Sequence, residues 1–132
     1  MRANPWLETI RAGGTAIGGW ISNSSTINAE IMGTAGFDYV VIDTQHGAID
    51  YSAMLPMLQV LSIGASTPMV RVPSCDSGHI GKALDAGARA VIVPMVNDRA
   101  SCEQALSFTR YAPAGERSYG PTRAVLVEGA DY

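Results

Sequence analysis

The sequence predicts an α/β fold built on a parallel sheet, and three observations carry that prediction. Short apolar runs alternate with segments of helical periodicity, as where Tyr39–Asp43 gives way to the stretch from Asp50 to Leu61. The runs Val40-Val41-Ile42 and Ala90-Val91-Ile92-Val93 are continuously apolar, which marks strands covered on both faces. Acids recur where helices would open and glycines where they would close, as Asp50, Asp76 and Asp98 against Gly36 and Gly87. A 47% apolar and 16% charged composition over 132 residues fits a single domain, 1–132, with a substantial core.

The elements follow in order. A leading helix from about Trp6 to Ala12 is opened by Pro5 and ended by Gly13-Gly14. Ala16–Ile21 reads as the first strand. Ser24 or Ser25 caps a helix through Ala29, Ile31 and Met32 that closes at Gly36. The strand Tyr39–Asp43 follows at once. Asp50 caps a helix whose Met54, Leu55, Met57, Leu58 and Leu61 stand at helical spacing and read as core. Pro68–Val72 is the third strand, Asp76 opens the helix through Ile80, Ala83 and Leu84, and Ala90–Pro94 is the fourth strand. A last helix runs from about Asp98 to Thr109. Four βα units of this kind point to right-handed parallel crossovers.

A doubly wound sheet carries a Gly-rich nucleotide turn between its first strand and helix, whereas Gly13-Gly14 here precedes a strand and no GxGxxG follows one. The units therefore read as a (β/α)8 barrel, which takes about 250 residues, with this chain supplying about the first four βα units. Half a barrel leaves exposed strand edges. The expectation is that a longer polypeptide supplies the rest; the alternative is that two chains complete each other's core.

Several classes are excluded. A net charge of −3 without a basic cluster lacks the footprint of a nucleic-acid binder. No apolar run nears the roughly 18 residues of a membrane span, and the start is unlike a signal peptide, so a cytoplasmic protein without membrane partners is expected. Cys75 and Cys102 read as reduced thiols.

Polar residues gather where a barrel enzyme keeps its chemistry, just past the strand ends. His46 sits on a turn before Gly47 and suits a general base, or it simply hydrogen-bonds its loop. Arg71 interrupts an apolar strand, which calls for an anionic ligand or a buried pair with Asp43. Asp85 opposes the helix dipole in its last turn, and either holds a histidine or pairs with Arg89. In the Gly- and Pro-rich stretch from Pro113 to Arg123, Arg117 or Arg123 can close over a substrate carboxylate, or each is a solvated loop residue. Lys82, the sole lysine, lies on a helix away from any strand end, which leaves Schiff-base chemistry without support; His79 reads as helix surface.

Phe37-Asp38-Tyr39-Val40-Val41-Ile42-Asp43-Thr44-Gln45-His46, Val70-Arg71-Val72, Leu84-Asp85-Ala86-Gly87-Ala88 and Val93-Pro94-Met95-Val96 resemble the HpcH/HpaI aldolase family, the metal-dependent 4-hydroxy-2-oxoacid aldolases. The segment Tyr111 to Gly120 resembles the family's next stretch, so the match runs in order from about Ala16 to Gly120. The resemblance implies a (β/α)8 barrel that cleaves or forms 4-hydroxy-2-oxo acids, giving pyruvate or a related 2-oxo acid plus an aldehyde. It also implies a divalent metal (Mg, Mn or Co), a homo-oligomer (trimer or hexamer) and a place in aromatic-compound catabolism.

Carried over by position, His46 matches the family's base, Arg71 its stabiliser of the enolate, Asp85 the carboxylate that raises the histidine's basicity, and Trp20 a pocket wall. Gln45 stands where many relatives have glutamate; it either hydrogen-bonds a metal-bound water or is a turn residue. The family's metal-binding carboxylates lie on later strands, beyond Tyr132. Alternative readings are a 2-oxo diacid decarboxylase, another carbon-carbon lyase of the superfamily, or a non-catalytic half-barrel.

Overall fold

A computed structural model describes residues 4–132. The chain runs α1 (Pro5–Arg11), β1 (Gly18–Ile21), α2 (Thr26–Thr34), β2 (Tyr39–Asp43), α3 (Tyr51–Leu61), β3 (Thr67–Arg71), α4 (Ser77–Asp85), β4 (Ala90–Ile92), α5 (Arg99–Ser107) and α6 (Ala124–Glu128).

Capping chemistry places the helix starts. Asn4 accepts from the Leu7 N–H, with Pro5 in the first turn of α1. Ser25, not Ser24, caps α2 through the Asn28 N–H. Asp50 and Asp76 cap α3 and α4, and Asp98 forms a reciprocal box with Ser101 at α5. Gly36 and Gly87 turn the chain out of α2 and α4 at φ +89° and +99°. The short α6 was not anticipated, because Arg123 at its start provides no side-chain cap.

The four strands form one parallel sheet in the order β1-β2-β3-β4. Their register sets Trp20 beside Val41, Asp43 beside Arg71, and Arg71 beside Ile92. Successive strand residues face opposite sides. Val40, Ile42, Val70 and Val72 pack with Met57, Leu58, Leu61 and Ile80 of the helices into one core cluster. Val41, Asp43, Met69 and Arg71 therefore belong to the other face. Val41 and Met69 are buried there, outside that cluster.

Strand limits differ from expectation by one or two residues. β1 begins at Gly18; Ile17 stays tied by its N–H to the Asp38 carboxylate at 2.7 Å. β3 spans Thr67–Arg71, although the Val72 N–H still reaches the Ile92 carbonyl at 3.1 Å. β4 ends at Ile92 and not Pro94, and the chain turns away through Met95, whose φ of +58° lies in the left-handed region. A parallel sheet whose neighbours follow chain order, with helices packed on one face, is four units of a (β/α)8 barrel.

Candidate active site at the carboxyl ends of the strands

Asp43, the last residue of β2, organises the rim. It is 2% exposed and receives five N–H groups. Arg71, the last residue of β3, approaches as a two-pronged fork, Nε to Oδ1 at 2.9 Å and Nη2 to Oδ2 at 2.5 Å. Trp20 Nε1 donates to Oδ2 at 3.2 Å. The backbone N–H groups of Gln45 and His46 donate to Oδ1 at 3.0 and 3.2 Å, an Asp-headed turn that folds the chain back above the strand. The Arg71 guanidinium, aided by His46, Trp20 and Gln45, holds the Asp43 carboxyl well below the usual carboxylate range against the opposing effect of burial.

Arg71 also stacks over Trp20, its guanidinium carbon 4.9 Å from the ring centroid. The Trp20 ring is 46% exposed and stands at the rim as a wall. Thr44 fastens β2 to β3 here, its N–H and hydroxyl both donating to the Arg71 carbonyl, at 3.0 and 2.7 Å. Gly47 is required for the turn: a Cβ there would overlap the Asp43 carbonyl and press on the Ser22 backbone. The close approach at this glycine is thus made by backbone.

The fold brings Trp20, Gln45, His46 and Arg71 together. The His46 imidazole is exposed, and among the described residues nothing hydrogen-bonds its ring. Arg71 meets both of its alternatives: it pairs with Asp43, yet only Nε and Nη2 are used, so its Nη1 edge has no protein partner among the described residues.

Asp85 and Arg117 lie elsewhere. Asp85 closes α4 just ahead of the amino end of β4, whereas His46 follows the carboxyl end of β2. Opposite ends of a parallel sheet separate them within one protomer. The surface pair with Arg89 is not formed either, since Arg89 binds Glu128 at 2.8 Å. Asp85 takes Arg117 Nη2 at 2.6 Å instead. Arg117 is 8% exposed, donates to the Tyr132 hydroxyl at 3.0 Å and stacks on the Tyr111 and Tyr132 rings. Burial works against its charge, and the Asp85 and Tyr132 hydrogen bonds more than offset that. Within this chain it is a buried strut between Asp85 and Tyr132. Arg123 is engaged as well, by the Ala86 carbonyl and Ser62 hydroxyl.

Sequence reasoning treated Asp43 only as a possible partner of Arg71. The signal for its larger part was available: an acid ends an apolar strand just before a turn, level with an arginine that ends the next strand. The described residues do not fit a divalent metal on their own. No three His, Cys, Asp or Glu side chains converge among them, and both Asp43 oxygens are filled by N–H donors.

A βα array that sets a histidine, an arginine and a tryptophan on its carboxyl rim has the layout of a (β/α)8-barrel active face. Residues 16–130 match the family model described as HpcH/HpaI aldolase/citrate lyase, and the chain belongs to that family. It is 42% identical over 120 residues to a hydroxypyruvate/pyruvate aldolase of Rhizorhabdus wittichii, covering 91% of this chain and 48% of that protein. It is 35% identical over 122 residues to a 2-keto-3-deoxy-L-rhamnonate aldolase of Salmonella gallinarum, covering 92% and 46%. The fold superimposes on an HpcH/HpaI aldolase/citrate lyase family protein from Burkholderia cenocepacia with a TM-score of 0.88 at 29% identity, covering 98% of this chain and 53% of that one. The chain spans about half the length of the curated relatives it matches.

Proposed function

We propose that this chain is the amino-terminal half of a class II aldolase, cleaving or forming 4-hydroxy-2-oxo acids to give pyruvate or a related 2-oxo acid plus an aldehyde. The observation that carries the reading is the Asp43-centred cluster, which fixes Arg71 and the His46 turn on the rim of a chain whose relatives bear aldolase names.

In the cleavage direction the His46 imidazole takes the proton of the 4-hydroxyl group. The C3–C4 bond breaks, the aldehyde leaves, and the bonding electrons pass to C3 as the enolate of the 2-oxo acid. The Nη1 edge of Arg71 faces the charge that grows on the 2-oxo oxygen. Return of a proton to C3 completes pyruvate. Asp43 touches no substrate here; it positions Arg71 by its fork and His46 by the turn. Trp20 supplies an apolar wall, and Gln45 a neutral amide beside the base.

Class II chemistry uses a divalent metal as Lewis acid, for which Mg, Mn and Co are candidates, with carboxylate ligands drawn from residues beyond Tyr132. Assembly as a homo-oligomer, trimer or hexamer, and a cytoplasmic location belong to the same proposal. No helix among the described residues is long and apolar enough to cross a membrane.

The test incubates the purified protein, its intact mass checked against twice 13.9 kDa, with pyruvate or hydroxypyruvate and a panel of aldehydes. Aldol products that vanish with a strong chelator and return with Mg, Mn or Co support the proposal. Activity indifferent to the chelator refutes the metal requirement. Carbon dioxide release from a 2-oxo diacid without aldol products moves the reading to a decarboxylase.

A further inference from the structure

Among the described residues the left-handed positions are the glycines Gly13, Gly36, Gly87 and Gly129, with one exception, Met95 at φ +58°. A side chain there crowds its own backbone, and outside asparagine and aspartate a non-glycine residue in this region is strained. Gly36 and Gly87 show that the chain places glycine where a turn out of an element is all that is needed. Packing does not account for the exception, because Met95 is 78% exposed and takes no part in the core cluster.

Its place is the carboxyl rim. The register sets Arg71 beside Ile92, and Met95 follows Ile92 by three residues, before Asp98 opens α5. Along the rim Trp20 stands on β1, His46 follows β2, Arg71 ends β3 and Met95 follows β4. On the aldolase reading, on which this inference rests, His46 serves the 4-hydroxyl group in the aldehyde half of the substrate and Arg71 the 2-oxo oxygen. The step from β2 to β3 thus runs from the aldehyde towards the 2-oxo acid, and Met95 lies one strand further in that direction. Backbone strain carried by an exposed apolar residue beside a reacting centre belongs to a residue kept for a ligand and not for the fold.

The geometry points to Met95 as a specificity-determining residue for the 2-oxo acid. Its thioether chain forms an apolar wall beside C3, favouring a donor with only hydrogen or a methyl group on that carbon, such as pyruvate or 2-oxobutanoate, over one with a hydroxyl there, such as hydroxypyruvate. A hydroxyl set against such a wall gives up water without gaining a hydrogen-bond partner.

The test compares the purified wild type, Met95→Asn and Met95→Leu by thermal melts and by initial rates of addition of pyruvate, 2-oxobutanoate and hydroxypyruvate to one aldehyde, with Mg, Mn or Co present. Asparagine is polar and tolerates the left-handed region, whereas leucine keeps both the apolar surface and the strain. Met95→Asn is expected to lower the kcat/KM of pyruvate and of 2-oxobutanoate relative to hydroxypyruvate about tenfold. The same variant is expected to raise Tm by about 2–4 °C as the strain is relieved. Met95→Leu is expected to keep the wild-type ratios and Tm. Aldol products with ratios unchanged in Met95→Asn, or a Tm that falls in that variant, overturn the inference and leave the aldolase reading intact. No aldol product from any donor overturns that reading, and the inference with it.

Discussion

Replacing Asp43 by asparagine keeps the shape of the side chain and removes its charge. The amide carbonyl can still accept from Gln45 and His46, but the amide nitrogen then faces Trp20 Nε1 and Arg71 Nη2, donor against donor. Removing one partner of a buried ion pair costs about 3–5 kcal/mol. The Arg71 side chain keeps 23% of its surface in water and regains some hydration, which lowers the expectation to about 2–3 kcal/mol. At this chain length that is a fall in Tm of about 8–12 °C.

Thermal and urea melts of wild type, Asp43→Asn, Arg71→Met and the double variant measure the coupling directly, with about 2 kcal/mol expected. Additivity of the two single changes within about 0.5 kcal/mol would refute the hub. The pH dependence gives a second reading. The Asp43 carboxyl is depressed from its ordinary value of 3.8, so its stabilisation is fully present above that value and is lost as pH falls through the folded one. The gap between wild type and Asp43→Asn should stay flat from pH 7 down to about 4 and narrow at lower pH.

Two further outcomes follow from the same rim. His46→Gln should lower kcat by about 10²–10⁴-fold with KM little changed, and leave Tm unchanged because the ring is exposed and holds no hydrogen bond among the described residues; a kcat loss under about tenfold would remove His46 as the base. Gly47→Ala forces a methyl against the Asp43 carbonyl and the Ser22 backbone, for which a loss of about 1–3 kcal/mol is expected in urea melts, and unchanged stability would contradict the close approach.

The strands and helix starts were legible because each rests on local chemistry. The unbroken apolar runs and the capping acids Asp50, Asp76 and Asp98 act over a few residues. The rim was legible in part, since Asp43 and Arg71 both end apolar strands and consecutive parallel strands bring such ends level. The contact that Asp85 makes within this chain was illegible for the opposite reason. Its true partner lies 32 residues away in an irregular stretch whose path no periodicity records. The burial of Arg117 was illegible with it, because a charged residue amid Gly and Pro looks solvated until Tyr111 and Tyr132 are seen to enclose it. The short α6 carries neither cap nor length enough to announce itself.

The β1-β2-β3-β4 order has a consequence for how the molecule is made. Among β1–β4 each strand after the first bonds to the strand synthesised immediately before it, so no pairing within this sheet waits for a later segment. The links that close the rim reach back only 28 residues from Arg71 to Asp43 and 23 from Asp43 to Trp20. Loop-closure cost grows only slowly with separation, so these links are no costlier than the βα crossovers that carry them. Translation proceeds at roughly 5–20 residues per second, slow against the docking of one βα unit on the last. The rim can therefore assemble strand by strand as the chain emerges, with Arg71 neutralising Asp43 as soon as the third strand arrives.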